Sequence, residues 1–470
     1  MTSTILLSHL QTSASGIPLP TLQSVLSHHL SNSSSTTTLT VSQLTATAIS
    51  APFFHPPLEY ANVQAFETAF RHAVHLLSER LSKEEGTSRV NISRWTGDVI
   101  NGIQGGHPIL RLAACGGILL GVQDLRNNAD VNDGKPDGGA SIQFSRTSVE
   151  SETLVALAEV LDSITVHTEW ENEFQHQVQQ PSQHSNPNTR LMAFILASHS
   201  LPLIDPQRLA ALPLHTLARL LTSILVSFFD SSDLESNSKT LMDVSHIPSL
   251  ARLSSVIFSV LLDSNHSRIS TRTLRTVSDT FHTLLDLSKI IEQTYSTDPS
   301  NQIQKQFLFT ILIISQSVLT SLVYIPPHII THPDTSITPS SLALMTLQTL
   351  THLSLVIFQL GGITKGFEQL QKAFYLSIDI LSSSRQIQTK KRKGEEKEEQ
   401  NKDVEAYVQS LSQFLQSQSP EAGQYPLPFL MPMHSAFLLL SGDIPFSSQT
   451  IFCTFDIRTT HSVSKSLLHH

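Results

Sequence analysis

Apolar residues recur along this chain with a helical period. From Tyr60 to Leu81, the positions Tyr60, Val63, Phe66, Phe70, Val74, Leu77 and Leu81 fall on one face of a helix. Arg71, His72, His75, Glu79 and Arg80 lie off that stripe. Leu19, Leu22, Leu26 and Leu30 predict a helix after Pro18, and Val41, Leu44, Ala48 and Ile49 predict a shorter one that Pro52 ends. Ser93 is the expected cap of a helix carrying Trp95, Val99 and Ile100. The segment ILRLAACGGILLGV predicts a tightly packed helix. Its Gly116-Gly117 pair lets a neighbour come close at some cost in helix propensity.

Further helices are expected over Val149–Val178, Arg190–Ser200, Gln207–Phe229, Pro248–Leu262, Ser270–Tyr295 and Asn301–Ile325. Asp205-Pro206 and Ser270 are the start signals of two of them. Within the last lies the strongest single signal, FLFTILIISQSVLTSLVYI from Phe307 to Ile325, which contains no charge, Gly or Pro. Its helix is about 28 Å long, just enough to cross a bilayer core. Three readings stand: a buried core helix, a membrane-surface helix, or a span. The cluster Ser315, Gln316, Ser317, Thr320 and Ser321 favours the first, because Gln316 is costly in lipid. Two apolar segments, Ser341–Leu360 and Phe367–Leu381, follow and complete a C-terminal core of three helices.

Polar loops separate these elements. Asn127–Ala140 is Gly-rich, and Gln175–Thr189 is rich in Gln, Ser and Pro. Lys390–Lys402 is a charge block without an apolar residue, fit for an exposed loop or a solvated helix extension. Val404–Leu415 is amphipathic, Tyr425–Leu440 is apolar with prolines, and residues 441–470 fit no helical pattern. No strand alternation appears. The fold class is therefore all-α, with an irregular α-solenoid of HEAT or armadillo type and long polar loops as the expected architecture. No clean repeat is present, so the array is a degenerate one. Five regions follow: 1–126, an N-terminal helical region; 127–147, a polar Gly-rich loop; 148–386, a central helical array; 387–403, a charged linker; and 404–470, C-terminal helices with an unplaced tail.

Composition narrows the partners. Charged residues are only 15% of the 470, and the net charge is −9 with 22 His neutral. Nucleic acid is not the default partner. Cys115 and Cys453 are too few for a disulfide framework and suit a reducing compartment. The N-terminus lacks the basic n-region of a secretory signal.

Catalytic chemistry finds little support. Gly102–Gly106 and Gly116–Gly121 follow no predicted strand, and no Lys-Ser or Lys-Thr follows Gly121, so neither is a phosphate-binding loop. His72 and His75 share one side of a helix but have no Glu or Cys partner at zinc spacing. His28-His29 and His469-His470 are adjacent pairs, which do not face one another on a helix. There is no Gly-x-Ser-x-Gly elbow. Cys115 lies in an apolar run, as a small core residue does. No catalytic, cofactor-binding or metal residue is assigned, no cofactor is expected, and the binding residues are left open. The run Lys390-Lys391-Arg392-Lys393 has the form of a nuclear address, but Glu395, Glu396, Glu398 and Glu399 neutralise it at once.

VSQLTATAISAPFFHPP (Val41–Pro57), RWTGDVINGI followed by LRLAACGGILLGV (Arg94–Val122), Leu342–Leu360 and FYLSIDILS (Phe374–Ser382) together resemble the fungal peroxin-8 family. The likeness is spread over about three-quarters of the chain, and none of its motifs is catalytic. It implies a peroxisomal biogenesis factor bound peripherally to the matrix side of the peroxisomal membrane. The resemblance further implies contacts with docking-complex proteins, RING-finger complex proteins and cycling import receptors. It also implies scaffolding and cargo release rather than catalysis. One departure stands out. The family commonly ends in a Ser-Lys-Leu-type tripeptide, whereas this sequence ends Leu467-Leu468-His469-His470, with Ser464-Lys465-Ser466 internal and lacking the leucine. Either the protein enters by another route, such as on a receptor, or its natural C-terminus differs from this one, and the lack of a helical pattern in 441–470 favours the second. The rival reading from the residues alone is a cytosolic or nuclear HEAT-like adaptor.

Overall fold

The computed structural model describes residues 3–12, 17–32, 40–54, 58–83, 88–132, 146–166, 187–230, 244–263, 270–293, 302–324, 337–353, 356 and 365–391. Among them there are fifteen α-helices, three short 3-10 turns and no strand, so the all-α class holds. The helices are α1 (Ser3–Leu10), α2 (Leu19–Ser31), α3 (Val41–Ile49), α4 (Tyr60–Lys83), α5 (Ser88–Ile103), α6 (Pro108–Asn132), α7 (Arg146–Val166) and α8 (Pro187–Ser200). They continue with α9 (Pro206–Leu209), α10 (Leu214–Asp230), α11 (Ile247–Asp263), α12 (Thr271–Gln293), α13 (Gln302–Tyr324), α14 (Pro339–His352) and α15 (Lys365–Lys391). The chain divides into two compact units, Met1–Ser264 and Asn265–His470. That division falls inside the segment 148–386 that the sequence treats as one array.

In the first unit, α2 to α8 contact mainly every second neighbour, and α11 packs on both α8 and the adjacent α10. α2 packs on α4, α4 on α6, α6 on α8 and α8 on α11, while α3 packs on α5 and α5 on α7. Two rows result, joined where α6 meets α7. The stripe on α4 explains its place in the first row. Val63, Phe66, Phe70, Val74, Leu77 and Leu81 are all buried. Phe66 meets Phe54 edge-on at 4.9 Å and Phe70 at 5.0 Å. Each such side chain contributes roughly 1.5–3 kcal/mol by leaving water. Tyr60, at the start of the stripe, stays half-exposed and meets His246 edge-on at 5.5 Å.

The crossing of α6 on α4 is the tightest contact in this unit. Gly117 and Gly121 lie one turn apart on α6, and both face the α4 backbone. A Cβ on Gly117 would come within 2.1 Å of the Glu67 carbonyl oxygen, and one on Gly121 within 2.9 Å of the Arg71 carbonyl oxygen. No side chain larger than hydrogen fits at either place. The close approach expected at Gly116-Gly117 is thus present, and Gly121 extends it. In the second row, Gly102 of α5 lies equally close to α3, where a Cβ would meet the Ser42 carbonyl oxygen at 2.5 Å.

The C-terminus of α2 shows how the rows are tied together. A helix leaves its last four carbonyls without intrahelical donors. Here all four are satisfied. Ser31 Oγ donates to His28 O at 2.9 Å and Asn32 N to His29 O at 3.2 Å. Trp95 Nε1, from α5, donates to Leu30 O at 2.8 Å. Arg80 Nη1, from α4, donates to Ser31 O at 2.6 Å. Trp95 is therefore both a buried aromatic and a cap for a helix in the other row.

Several boundaries differ from the sequence expectation, among them those of α14, which ends at His352 rather than Leu360, and of α15, which runs past Leu381 to Lys391. Ser93 is not a cap: α5 starts at Ser88, and Ser93 is exposed one turn inside it. Helix 207–229 is broken, because Pro213 has no N–H and ends the turn after α9. Its carbonyl then accepts from Leu217 N at 3.0 Å and starts α10. α6 runs on through Asn132, into the stretch read as loop from Asn127. α7 covers Arg146–Val166; residues 167–178, also expected to be helical, lie outside the described residues. The Asp205 and Ser270 start signals do cap, accepting from Gln207 N at 2.8 Å and Thr273 N at 3.1 Å.

In the second unit, α14 contacts α12, α13 and α15, and α13 contacts α15. The uncharged run is α13. Phe307, Leu308, Ile311, Leu312, Ile314, Val318, Leu319 and Leu322 are buried. Gln316 Nε2 donates to the Gln369 carbonyl of α15. Phe309, Ile313, Ser317, Thr320 and Ser321 stay half-exposed and Val323 exposed. By length and composition α6 and α13 are each apolar enough to cross a membrane. In α6 72% of that stretch is buried, whereas in α13 56% is, with Phe309, Ile313 and Val323 left partly exposed. Thr338 caps α14 reciprocally with Ser341, at 3.1 and 3.0 Å. His352 Nδ1 lies 2.7 Å from Glu292 Oε2 and ties the end of α14 to α12.

The two kinds of glycine separate in a stability assay. Gly117→Ala forces the α4 and α6 backbones apart and is expected to cost about 1–3 kcal/mol or more. Gly97→Ala, where nothing lies within 4 Å of the added methyl, is expected to stabilise α5 by roughly 0.5–1 kcal/mol. Denaturant midpoints of the two variants should move in opposite directions. Trp95→Phe leaves the buried Leu30 carbonyl without its donor, and a loss of about 1–3 kcal/mol is expected in the same measurement.

Candidate functional site

One cluster of ionisable side chains lies where α4, α6 and α8 meet. It is built around the glycine crossing. Because α6 lies against the α4 backbone, the side chains one turn on are brought level with each other. Arg71 of α4 grips Asp124 of α6 with both ends of its guanidinium, at 2.6 and 2.9 Å. His75 Nε2, one further turn along α4, lies 3.1 Å from Asp124 Oδ2. Burial raises the Asp124 carboxyl, but the hydrogen bonds from Arg71 and His75 outweigh it and hold it below the usual carboxylate range. The hydrogen bond to Asp124 in turn raises the Arg71 guanidinium.

Glu67, one turn before Arg71, occupies the same seam. It is only 5% exposed, and its Oε1 has no hydrogen-bond partner. His199 Nδ1, in the last turn of α8, lies 3.6 Å away. Gly116 leaves the room this carboxylate needs, since a Cβ there would lie 3.3 Å from Glu67 Oε1.

A second cluster joins α6 to α7. Arg111 is buried, and it bridges Glu152 at 2.6 Å and Glu159 of α7. Burial alone would lower this guanidinium, and the two glutamates more than compensate. Glu150, also buried, pairs with Arg208 of α9 at 3.4 Å, and Arg208 Nη1 donates to the Thr147 carbonyl at 2.8 Å. Each charge lies beside its counter-charge on another helix. Such pairs add little net stability when formed but cost about 3–5 kcal/mol when one partner is removed. The arrangement fixes which helix lies on which.

The residues singled out in the sequence are placed accordingly. His72 and His75 do not converge on a common point: His72 Nδ1 meets Gln23 Nε2 at 3.5 Å, while His75 turns to Asp124. Among the described residues no group of three His, Cys, Asp or Glu side chains is placed to hold a metal ion. Cys115 is fully buried, and burial, the largest cause, pushes its thiol well above the usual range. His28 and His29, expected to diverge, instead bring their rings to 5.8 Å edge-to-face, since side-chain rotation can close what backbone spacing opens. Lys390 and Lys391 lie in the last turn of α15. Residues 392–470, which hold the rest of the charge block, Val404–Leu415, Tyr425–Leu440 and His469-His470, lie outside the described residues.

Sequence reasoning missed the charged seams. One signal was available. Arg111 is the only charge in the apolar run 109–122, and a lone charge in a core helix needs a buried counter-charge. Glu152 and Glu159 stand seven apart, on one face of the next helix.

Two measurements bear on this site. Asp124 has a depressed folded-state pKa, so its contribution is complete above its unfolded value of roughly 4 and is lost as pH falls through the folded value. Arg71 is 41% exposed, so the pairing is worth only about 1 kcal/mol after screening. The stability difference between wild type and Asp124→Asn should be of that size near neutrality and shrink toward zero in acid. In native protein treated with a maleimide, the peptide containing Cys115 should stay unlabelled, and it should label fully in denaturant. Fast native labelling would contradict its burial.

No protein-family model, no curated protein and no solved structure matches this chain.

Proposed function

We propose that this protein is a non-enzymatic scaffold of peroxisome biogenesis, acting on the matrix side of the peroxisomal membrane. The observation that carries the reading is the resemblance of RWTGDVINGI and LRLAACGGILLGV, Arg94–Val122, to the Trp-bearing and glycine-leucine helices of the peroxin-8 family. These segments hold Trp95, Gly102, Gly117 and Gly121, which set the helix contacts of the first unit. The site chemistry is consistent with this. Arg71, Asp124, Arg111, Glu150 and Glu152 are committed to helix–helix pairs, and Cys115 is sealed in the core.

In this reading the two helical rows form an irregular solenoid-like array whose surface binds proteins. Its partners are docking-complex and RING-finger complex proteins and the import receptors. Attachment to the membrane is peripheral. A second reading, a cytosolic or nuclear helical adaptor, draws on the basic run Lys390–Lys393 that starts at the end of α15.

Localisation and import distinguish the two. An N-terminally tagged protein should form puncta that coincide with a peroxisomal matrix marker, and deletion of the gene should leave matrix proteins in the cytosol. Normal matrix import in the deletion strain defeats the scaffold reading. Nuclear signal that disappears when Lys390–Lys393 are replaced by alanine supports the adaptor.

A further inference from the structure

We draw no further inference here: the strongest candidate, the partly exposed apolar stripe of Phe309, Ile313 and Val323 along α13, is interleaved with Gln316, Thr320 and Ser321, and nothing in the structure shows what covers it.

Discussion

The first unit depends on how closely two backbones can approach. At Gly117 and Gly121 the α6 helix lies against α4 with only hydrogen atoms between Cα and the facing carbonyls. A contact this close cannot slide by a turn, because the slide would bring Ala113 or Leu125 against the α4 carbonyls in place of a glycine. It therefore fixes register as well as distance. Register is what brings Arg71 opposite Asp124 and leaves Glu67 beside Gly116 at the seam with α8. The Arg71–Asp124 pair depends on this register, since a shift of one turn between α4 and α6 would separate it.

Polar groups inside this fold are satisfied locally wherever they can be. The chain is rich in Ser and Thr and poor in charge, an unusual composition for a core of this size. Buried hydroxyls resolve the difficulty by donating to the carbonyl three or four residues earlier. Thr153 donates to Val149, Thr222 to Ala218, Ser254 to Leu250, Thr346 to Leu342 and Ser377 to Ala373, at 2.7 to 3.0 Å. Such back-bonding lets a hydroxyl lie in an apolar interface at little cost. In α13, Thr310 does the same, donating to the Gln306 carbonyl at 2.8 Å. Thr45 Oγ1 and Gln304 Oε1 are buried without a partner, and elsewhere help comes from another helix. Trp95 and Arg80 close the end of α2, and Gln316 reaches the α15 backbone.

The fold class and most helices were legible in the sequence. The α4 stripe, the capping residues Asp205 and Ser270 and the close-packing role of Gly116-Gly117 are all present as the pattern implied. The errors are also local in kind. Pro213 lies inside an apolar segment, yet its missing N–H and fixed φ break the helix there regardless of hydrophobic pattern. Ser93 was read as a cap when helix propensity carried α5 back to Ser88. The Asn127–Asn132 stretch was read as loop because it is polar, but a long helix anchored by a buried face can extend into solvent.

The sequence by itself determined that the chain forms helices, where most of them start, and which face of each is apolar. Those properties come from interactions within about four residues: periodicity, caps and backbone restrictions. The tertiary structure alone decided the pairing of α2 with α4, α4 with α6 and α3 with α5, and with it every charged contact in the interior. Arg71 and Asp124 are 53 residues apart in sequence, and Trp95 and Leu30 are 65 apart. No local pattern encodes such a separation. It is set by which apolar faces stack and how near their backbones can come, and a glycine fixes that distance only once the helix opposite it is in place.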